Sequence, residues 1–553
     1  MSKKDRQAQQ AAGQQENAAR GVEGVQATPE LSRRAFLAGG AAVGALAVAG
    51  SVWGCAPKAP TPAGEATDDQ HGSKAPAKID KEYTTDMLIV GVGGSGMTCC
   101  VQAALNGTDF IAIEKADLIG GNANFVEGMF AIGSKFQKER GINITPAQII
   151  EAEMSRGQYR QNGSMWMDLC VKSAENIDWC LEQGVLYSGV IDDYYGGLYP
   201  TFHWFKDNKS KVGFVEPMTQ RIKELGATIH LKTSATSLIF ENGAITGAYA
   251  EGPEGVIKYN AKAVILAGGG FGGSPDVIAK QGWDTEDIFI VGSPNAAGDS
   301  YRMATEIGAL DMLSDAAQSI LYNIQAFPRI DFANDAQNPI NGYFGIASGG
   351  PMLWVNEYGD RFARENLTTD NLVLQCIPGK ANKANYCIFD QAIFEAKFGT
   401  SDEAKKMFND SLATNNGNSL YAADSIEKLA GFFKHDPAAL KATIERYNEL
   451  ANQGVDEDYG KPADLMLPIT GGPYYIAKLN YTFFFSVGGF LVNRQRQVLD
   501  THKEPIKGLY AIGNDGNNNY RNVYTINMPG TAFGNQVNSG REAANYVKEY
   551  LAG

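Results

Sequence analysis

The chain is poor in the residues that build inorganic redox centres. Its seven cysteines include no C-x-x-C pair, which excludes a zinc knuckle, a dithiol centre and a C-x-x-C-H haem attachment. Histidine is scarcer still: His71, His203, His230, His435 and His502 are scattered over 553 residues, which argues against a histidine metal site. Positive charge is also in deficit, with a formal net charge of −14. Nucleic acid demands a basic face, as does adsorption to an anionic bilayer, so neither partner is expected. The apolar stretch from Ala38 to Val52 falls short of the ~20 residues of a comfortable membrane span. Any redox chemistry must therefore use a bound organic cofactor.

What is present begins with Ser32-Arg33-Arg34-Ala35-Phe36-Leu37, set before that small-residue apolar stretch and after a polar leader rich in Gln and Ala. This resembles a twin-arginine export signal occupying residues 1–55, which carries folded, often cofactor-loaded proteins out of the cytoplasm. Val52-Trp-Gly-Cys55 either ends the signal as a lipobox, with Cys55 lipidated, or does not; bulky Trp53 counts against the anchor. The Ala-, Pro-, Thr- and Asp-rich residues 56–82 read as a disordered tether.

The folded body opens on Thr84-Thr-Asp-Met-Leu-Ile-Val-Gly91-Val-Gly93-Gly94-Ser95-Gly96, followed by Phe110-Ile-Ala-Ile-Glu114. The pattern predicts a strand, a tight glycine turn, a helix from about Gly94 and a second strand ending in an acid. Gly91 permits the turn, Gly93 lets the backbone approach a pyrophosphate, Gly96 lets helix and sheet pack closely, and Glu114 reaches a ribose hydroxyl. The free N–H groups of the helix face the phosphates. Cys99 and Cys100 within that helix are packing residues.

Further on, helices are expected over Pro146–Arg156 and from Met165 to Gln183, then an aromatic loop from Asp193 to Phe205. Short β-rich runs follow at 228–235, 237–240, 245–250 and 256–259, broken by Glu-Asn-Gly and Gly-Pro-Glu-Gly turns. They feed a buried strand, Ala261 to Ala267, that empties into Gly268-Gly269-Gly270-Phe271.

With these motifs in order, joined by Lys115, Gly120-Gly121-Asn122, Gly298-Asp299, Val355-Asn-Glu-Tyr-Gly359-Asp-Arg361-Phe362 and Gly508-Leu-Tyr-Ala-Ile-Gly513-Asn514, the chain resembles the FAD-dependent fumarate reductase, flavocytochrome c and 3-ketosteroid dehydrogenase superfamily from about Asp86 onward. The resemblance implies an α/β fold: a discontinuous Rossmann-like FAD-binding domain, 83–318 plus 487–553, with an α+β capping domain, 319–486, inserted between its parts. It implies non-covalent FAD, and without a C-x-x-C-H attachment no haem is expected in this chain. Glu114 would hold the adenosine ribose, Gly93 to Gly96 the pyrophosphate, Ala235 the adenine edge, and Gly513, Asn514 and Asp515 the ribitol. Lys115, Gly121, Asn122, Gly128, Met129, Gly268, Gly269 and Asp299 complete the cofactor contacts. The terminal helix, with Thr531, Ala532 and Phe533 leading, would aim its N-terminus at the flavin pyrimidine and stabilise charge developing there. Ala123 stands where the family often has a phosphate-touching Ser or Thr.

The dicarboxylate residues of the family are absent. Its acid-donating arginine falls on Thr369, its relay acid and base on Gly345 and Ser348, its substrate-binding His-His on Phe484-Phe485, and its second arginine on Asn527 or Met528. A threonine is a poor proton donor and gives a carboxylate no charge to bind. The ketosteroid branch fits in part through Gly513-Asn514 and Pro529-Gly530, but its tyrosines fall on Thr369 and Met528. The longer loop Gly516 to Tyr524 brings Tyr520, Arg521 and Tyr524 as candidate donors beside the terminal helix; capping the loop or packing on the cofactor is the alternative for each. Arg364, Tyr343 and His203 are weaker candidates. Phe483 to Phe485 and the aromatics from Tyr194 to Phe205 suggest an apolar slot, or plain core.

The expectation is an exported FAD-dependent reductase adding a hydride and a proton across an activated C=C bond of an apolar or aromatic acceptor, in anaerobic respiration or detoxification, and not a fumarate reductase. Electrons would come from a separate cytochrome or quinol-linked partner, because NAD(P)H is not available outside the membrane. A ketosteroid-type dehydrogenase running in the oxidising direction and a flavoprotein that only relays electrons are the alternatives.

Overall fold

A computed structural model of the chain describes residues 75–326, 350–365 and 376–553, apart from 195–196, 287, 400, 415–417 and 526. The signal-like segment, Cys55, Tyr343, Gly345, Ser348 and Thr369 lie outside the described residues. The first strand, Lys81–Val90, ends in Met87-Leu-Ile-Val90, all four buried. A continuous apolar run is what a strand covered on both faces requires. It pairs in parallel with Phe110–Ile113 on one side and Gly255–Leu266 on the other. Thr228–His230 extends the parallel array beyond Phe110–Ile113, and Pro505–Ala511 extends it beyond Gly255–Leu266. The last of these strands comes from the far end of the chain, so the sheet is assembled from discontinuous sequence. The crossover from the first strand to the second is the helix Gly94–Leu105, the right spacing for a βαβ unit.

Gly255–Leu266 does two jobs. Val256 to Asn260 pair antiparallel with the strand Ala244–Gly252, while the whole length runs parallel to the first strand. The two runs that looked separate in sequence are therefore one strand, because Asn260 finds partners on both sides, in Thr84 and Gly247. The run 228–235 breaks instead: Lys232 adopts φ 54°, and Ser234–Glu241 starts a new antiparallel strand against Ala244–Gly252.

A second, six-stranded sheet is organised by Tyr474–Val487. Ala317–Ile324, Asn385–Asp390 and Leu420–Ala423 pair with it antiparallel and Ile288–Ile290 in parallel, with Leu353–Asn356 beyond Asn385–Asp390. Beside it Arg361 makes two-pronged pairs with Glu365 and Asp456 at 2.8 to 3.0 Å, and buried Lys461 lies 3.3 Å from Glu365. Two cations and two carboxylates thus neutralise one another out of water, as buried charge must.

A small antiparallel sheet joins Gly128–Phe130, Phe202–Phe205 and Tyr187–Asp192. The helix Pro146–Arg156 begins with a capping box from Thr145 and Gln148 and with Pro146 in its first turn, each suited to an N-terminus. Asn162 caps Gly163–Glu182. The terminal helix, Thr531–Ala552, crosses Gly94–Leu105 closely enough that a Cβ on Gly540 would lie 2.5 Å from the Ser95 carbonyl oxygen.

Candidate active site

The first strand stops where Gly91 turns with φ +100°; a Cβ there would stand 2.5 Å from the Ala267 carbonyl oxygen, and one on Gly96 would stand 2.0 Å from the Gly91 oxygen. The turn therefore admits no side chain at either point. Beyond it opens a cleft whose empty space, the solvent at its mouth included, is about 760 Å³. Gly91, Gly93, Gly94, Ser95, Glu114, Lys115, Gly121, Asn122, Ala235, Gly268, Gly269, Asp299 and Asn514 all line it.

Glu114 is buried at the end of the second strand. Its Oε2 accepts from Val92 N–H at 2.8 Å and its Oε1 from Ala116 N–H at 2.9 Å. One carboxylate therefore holds both the glycine turn and the segment after itself, and each oxygen keeps a lone pair for a ligand hydroxyl. Lys115 pairs with Asp299 at 2.6 Å, and Arg302 stands 3.6 Å from the same carboxylate. Asn122 Oδ1 accepts from Ser293 N–H at 2.6 Å, tying the two walls of the cleft together. The Asn514 Oδ1 is buried without a hydrogen-bond partner.

Other residues named from the sequence lie behind the cleft instead of lining it. Asp515 is fully buried and accepts from Gly268 N–H at 2.6 Å and Gly270 N–H at 2.8 Å, so it shapes the glycine loop. Burial raises its carboxyl above the ordinary range, against the pull of Ser300 and those two amides. Gly96 lets the helix Gly94–Leu105 close on the Gly91 turn. Gly128 and Met129 belong to a strand whose Phe130 N–H donates to Gly530 O at 3.0 Å, which fixes the start of the terminal helix. Met129 Sδ also accepts from Tyr187 OH at 3.0 Å. Phe533 packs between Phe205 and Phe214 at centroid distances of 5.5 and 4.9 Å, and Ala532 is buried beside it.

Sequence reasoning missed Gln536, Ser293, Asn295 and Ala296, all of which line the cleft. Gln536 lies one helical turn after Ala532, so the 3.6-residue period was a usable signal. The Ser-Pro-Asn-Ala-Ala run before Gly298 reads only as a turn-rich loop, and nothing local tells which site it borders.

A second constellation surrounds the start of the terminal helix. The Tyr520 and Tyr524 rings lie 4.8 Å apart, with Trp166 edge-on to Tyr520 at 5.3 Å and Phe485 edge-on to Tyr524 at 5.2 Å. Trp166 Nε1–H donates to Asn519 O at 2.9 Å. The Tyr520 hydroxyl is hydrogen-bonded to Thr531 Oγ1, and Tyr524 also engages Thr531. Burial raises both phenols, and the neighbouring Glu153 adds to the rise. Arg521 points elsewhere: it forms an ion pair with Asp315, whose backbone oxygen also accepts from Asn522 N–H at 2.8 Å. His203 is a core residue, with Nε2 2.7 Å from Ser134 Oγ and Nδ1 3.0 Å from Thr201 O; burial lowers it to about 4. Arg364 is half-buried next to the Arg361 cluster.

The glycine turn with its acid, the small-residue lining and the orphaned Asn514 oxygen suit a dinucleotide cofactor. A family model described as an FAD binding domain matches residues 86–526. The chain belongs to this FAD-binding family. It is an FAD-dependent oxidoreductase. A vinyl phenol reductase of Lactiplantibacillus plantarum is 30% identical over 499 residues, covering 85% of this chain and 98% of that one. Among solved structures, the open conformation of a flavocytochrome c3 fumarate reductase superposes with a TM-score of 0.61 at 25% identity, covering 85% of this chain and 79% of that one. A 3-ketosteroid Δ1-dehydrogenase from Sterolibacterium denitrificans shares the fold, with a TM-score of 0.65 at 16% identity over 84% of this flavoprotein chain and all of its own (100%).

Proposed function

We propose that this flavoprotein reduces an activated C=C bond of an apolar or aromatic acceptor, of the vinyl phenol type. The carrying observation is the aromatic cluster of buried Trp166, Tyr520 and Tyr524 with half-buried Phe485 at the start of the terminal helix, which would offer a planar aromatic ring partners and a phenol donor. Asn527 and Met528 are buried in the same segment, and Arg521 is committed to Asp315. A small dicarboxylate would find no free guanidinium among these residues. The likeness to vinyl phenol reductase over nearly its whole length supports the same substrate class.

FAD, when bound, would supply the hydride. Glu114, the Gly91–Gly96 turn, Asn514 and Gln536 of the cleft lining would hold it. Non-covalent retention is supported by a lining of glycines and small polar side chains. Tyr524 delivers the proton to the carbon beside the hydride acceptor, and the aromatic wall excludes water from that step. The Arg33-Arg34 signal supports export and action at the periplasmic or cell-surface side, and an external cytochrome or quinol-linked donor follows from that location. Likeness to the solved flavocytochrome c3 fumarate reductase supports a cytochrome as the donor.

The test is anaerobic: reduce the FAD-loaded protein with a dye and offer 4-vinylphenol or fumarate, and offer a saturated 3-ketosteroid to the oxidised protein. Flavin reoxidation by vinyl phenol with formation of the ethyl product supports the reading. Reoxidation by fumarate alone contradicts it, and reduction of the oxidised flavin by a saturated 3-ketosteroid turns the assignment to a dehydrogenase.

A further inference from the structure

Glu153 belongs to none of the cofactor motifs. It sits near the end of the helix Pro146–Arg156 and its side chain is wholly out of solvent. Thr525 Oγ1–H donates to its Oε2 at 2.5 Å. Its Oε1 and the side-chain amide of Gln161 lie close but form no completed hydrogen bond. The titratable and charged groups that bear on it are Arg156 on its own helix, Cys170 on Gly163–Glu182, and Tyr520 and Tyr524 on the loop before the terminal helix.

A carboxylate in such a place is costly, because burial strips its solvation and Arg156 on the same helix offsets only part of the loss. Burial accordingly raises Glu153 to about 7, and the group holds a proton where an ordinary glutamate holds none. The phenols next to it have the opposite need. A buried tyrosine that has given up its proton is left as a phenolate without solvent, and turnover stalls until that charge is removed. Thr531 Oγ1 already joins Tyr520 and Tyr524, and a hydroxyl accepts one proton while releasing another.

We propose that Glu153 is the internal acid that returns a proton to Tyr524 after each reduction, acting through Tyr520 and Thr531 and never touching the substrate. The inference rests on the reading of Tyr524 as proton donor. The Tyr524 O–H bond breaks as its proton joins the substrate carbon. The phenolate oxygen takes the Thr531 hydroxyl proton, Thr531 takes that of Tyr520, and Tyr520 takes the carboxyl proton of Glu153. The Glu153 carboxylate, wholly buried at rest, regains its proton from solvent during local opening between turnovers, and no electron moves in these steps. Between Glu153 and Tyr520, the hop without a hydrogen bond in place, rotation of the phenol hydroxyl or one water completes the path.

The relay is loaded when Glu153 is protonated, so turnover falls as pH rises through neutrality. The test compares wild type with Glu153→Gln, Glu153→Asp and Tyr524→Phe, all FAD-loaded, with reduced methyl viologen as donor and 4-vinylphenol as acceptor. Glu153→Gln is expected to lower kcat about 10²-fold with KM and flavin content unchanged, and to abolish the falling limb of the pH profile; Glu153→Asp is expected to retain that limb. Infrared difference spectra should show a protonated carboxyl titrating near neutrality in wild type and missing in Glu153→Gln. Wild-type kcat and pH profile in Glu153→Gln, with Tyr524→Phe inactive, overturn the relay alone. Full turnover in Tyr524→Phe overturns the donor reading and the relay with it.

Discussion

Gly91 and Ala267 are in backbone contact across the mouth of the cofactor cleft: a Cβ on Gly91 would stand 2.5 Å from the Ala267 carbonyl oxygen. The end of the first strand and the end of Gly255–Leu266 approach this closely only because Gly91 has no side chain and accepts φ +100°. Gly91→Ala combines that overlap with left-handed strain of about 1–3 kcal/mol. The purified variant is expected to lack flavin absorbance and to unfold at a lower temperature. Wild-type flavin content would show that the turn relaxes without consequence.

Glu114 braces the same turn through Val92 and Ala116. Glu114→Ala leaves two amides unpaired and removes the acceptor proposed for the ribose, together about 1–3 kcal/mol, so FAD affinity should fall by roughly 10- to 100-fold. Flavin titration of the apoprotein reads this directly, and an unchanged dissociation constant would remove Glu114 from the site.

Arg361 neutralises Glu365 and Asp456 together, with side-chain exposures of 6%, 1% and 0%. Arg361→Ala leaves two buried carboxylates with Lys461 as their cation, a loss of about 3–5 kcal/mol. Arg361→Lys should recover little of it, since an ammonium lacks the planar fork that grips both partners. Urea unfolding measures both, and a lysine variant as stable as wild type would contradict the two-pronged account.

His203 links stability to acid pH. Its folded value, about 4, lies below its ordinary 6.5, so the stability it contributes is complete above 6.5 and is lost as pH falls toward and through 4. Two and a half units amount to about 3 kcal/mol. His203→Gln should flatten the dependence of unfolding free energy on pH in that window, and an unchanged slope would place the acid sensitivity elsewhere.

The parts of the site that are local in sequence were legible from it. Gly91 to Gly96 and Glu114 are joined by one helix and two strands, and their chemistry is stated by spacing; Gly268 and Asn514 come from the family resemblance that the glycine-rich strand ends help to carry. What stayed hidden depends on contacts between distant segments. Asp515 reads as a ligand contact but holds the Gly268–Gly270 amides from behind. Arg521 reads as a donor beside two tyrosines, yet Asp315, from 206 residues away, captures it. Glu153 carries no motif, and its meaning comes only from burial against Thr525, which lies 372 residues further on. Fold followed from periodicity in the same measure: helix Pro146–Arg156 is where its capping box puts it, whereas the unity of Gly255–Leu266 shows only when strands on both sides supply partners.

The most direct test of the substrate assignment is the ratio of second-order rate constants for reoxidation of the reduced flavin by 4-vinylphenol and by fumarate under identical anaerobic conditions. An aromatic wall with no free guanidinium among the described residues of its segment predicts a ratio well above about tenfold in favour of vinyl phenol, since a site lacking the polar partner of a charged substrate rejects it strongly. A ratio below one would contradict the account.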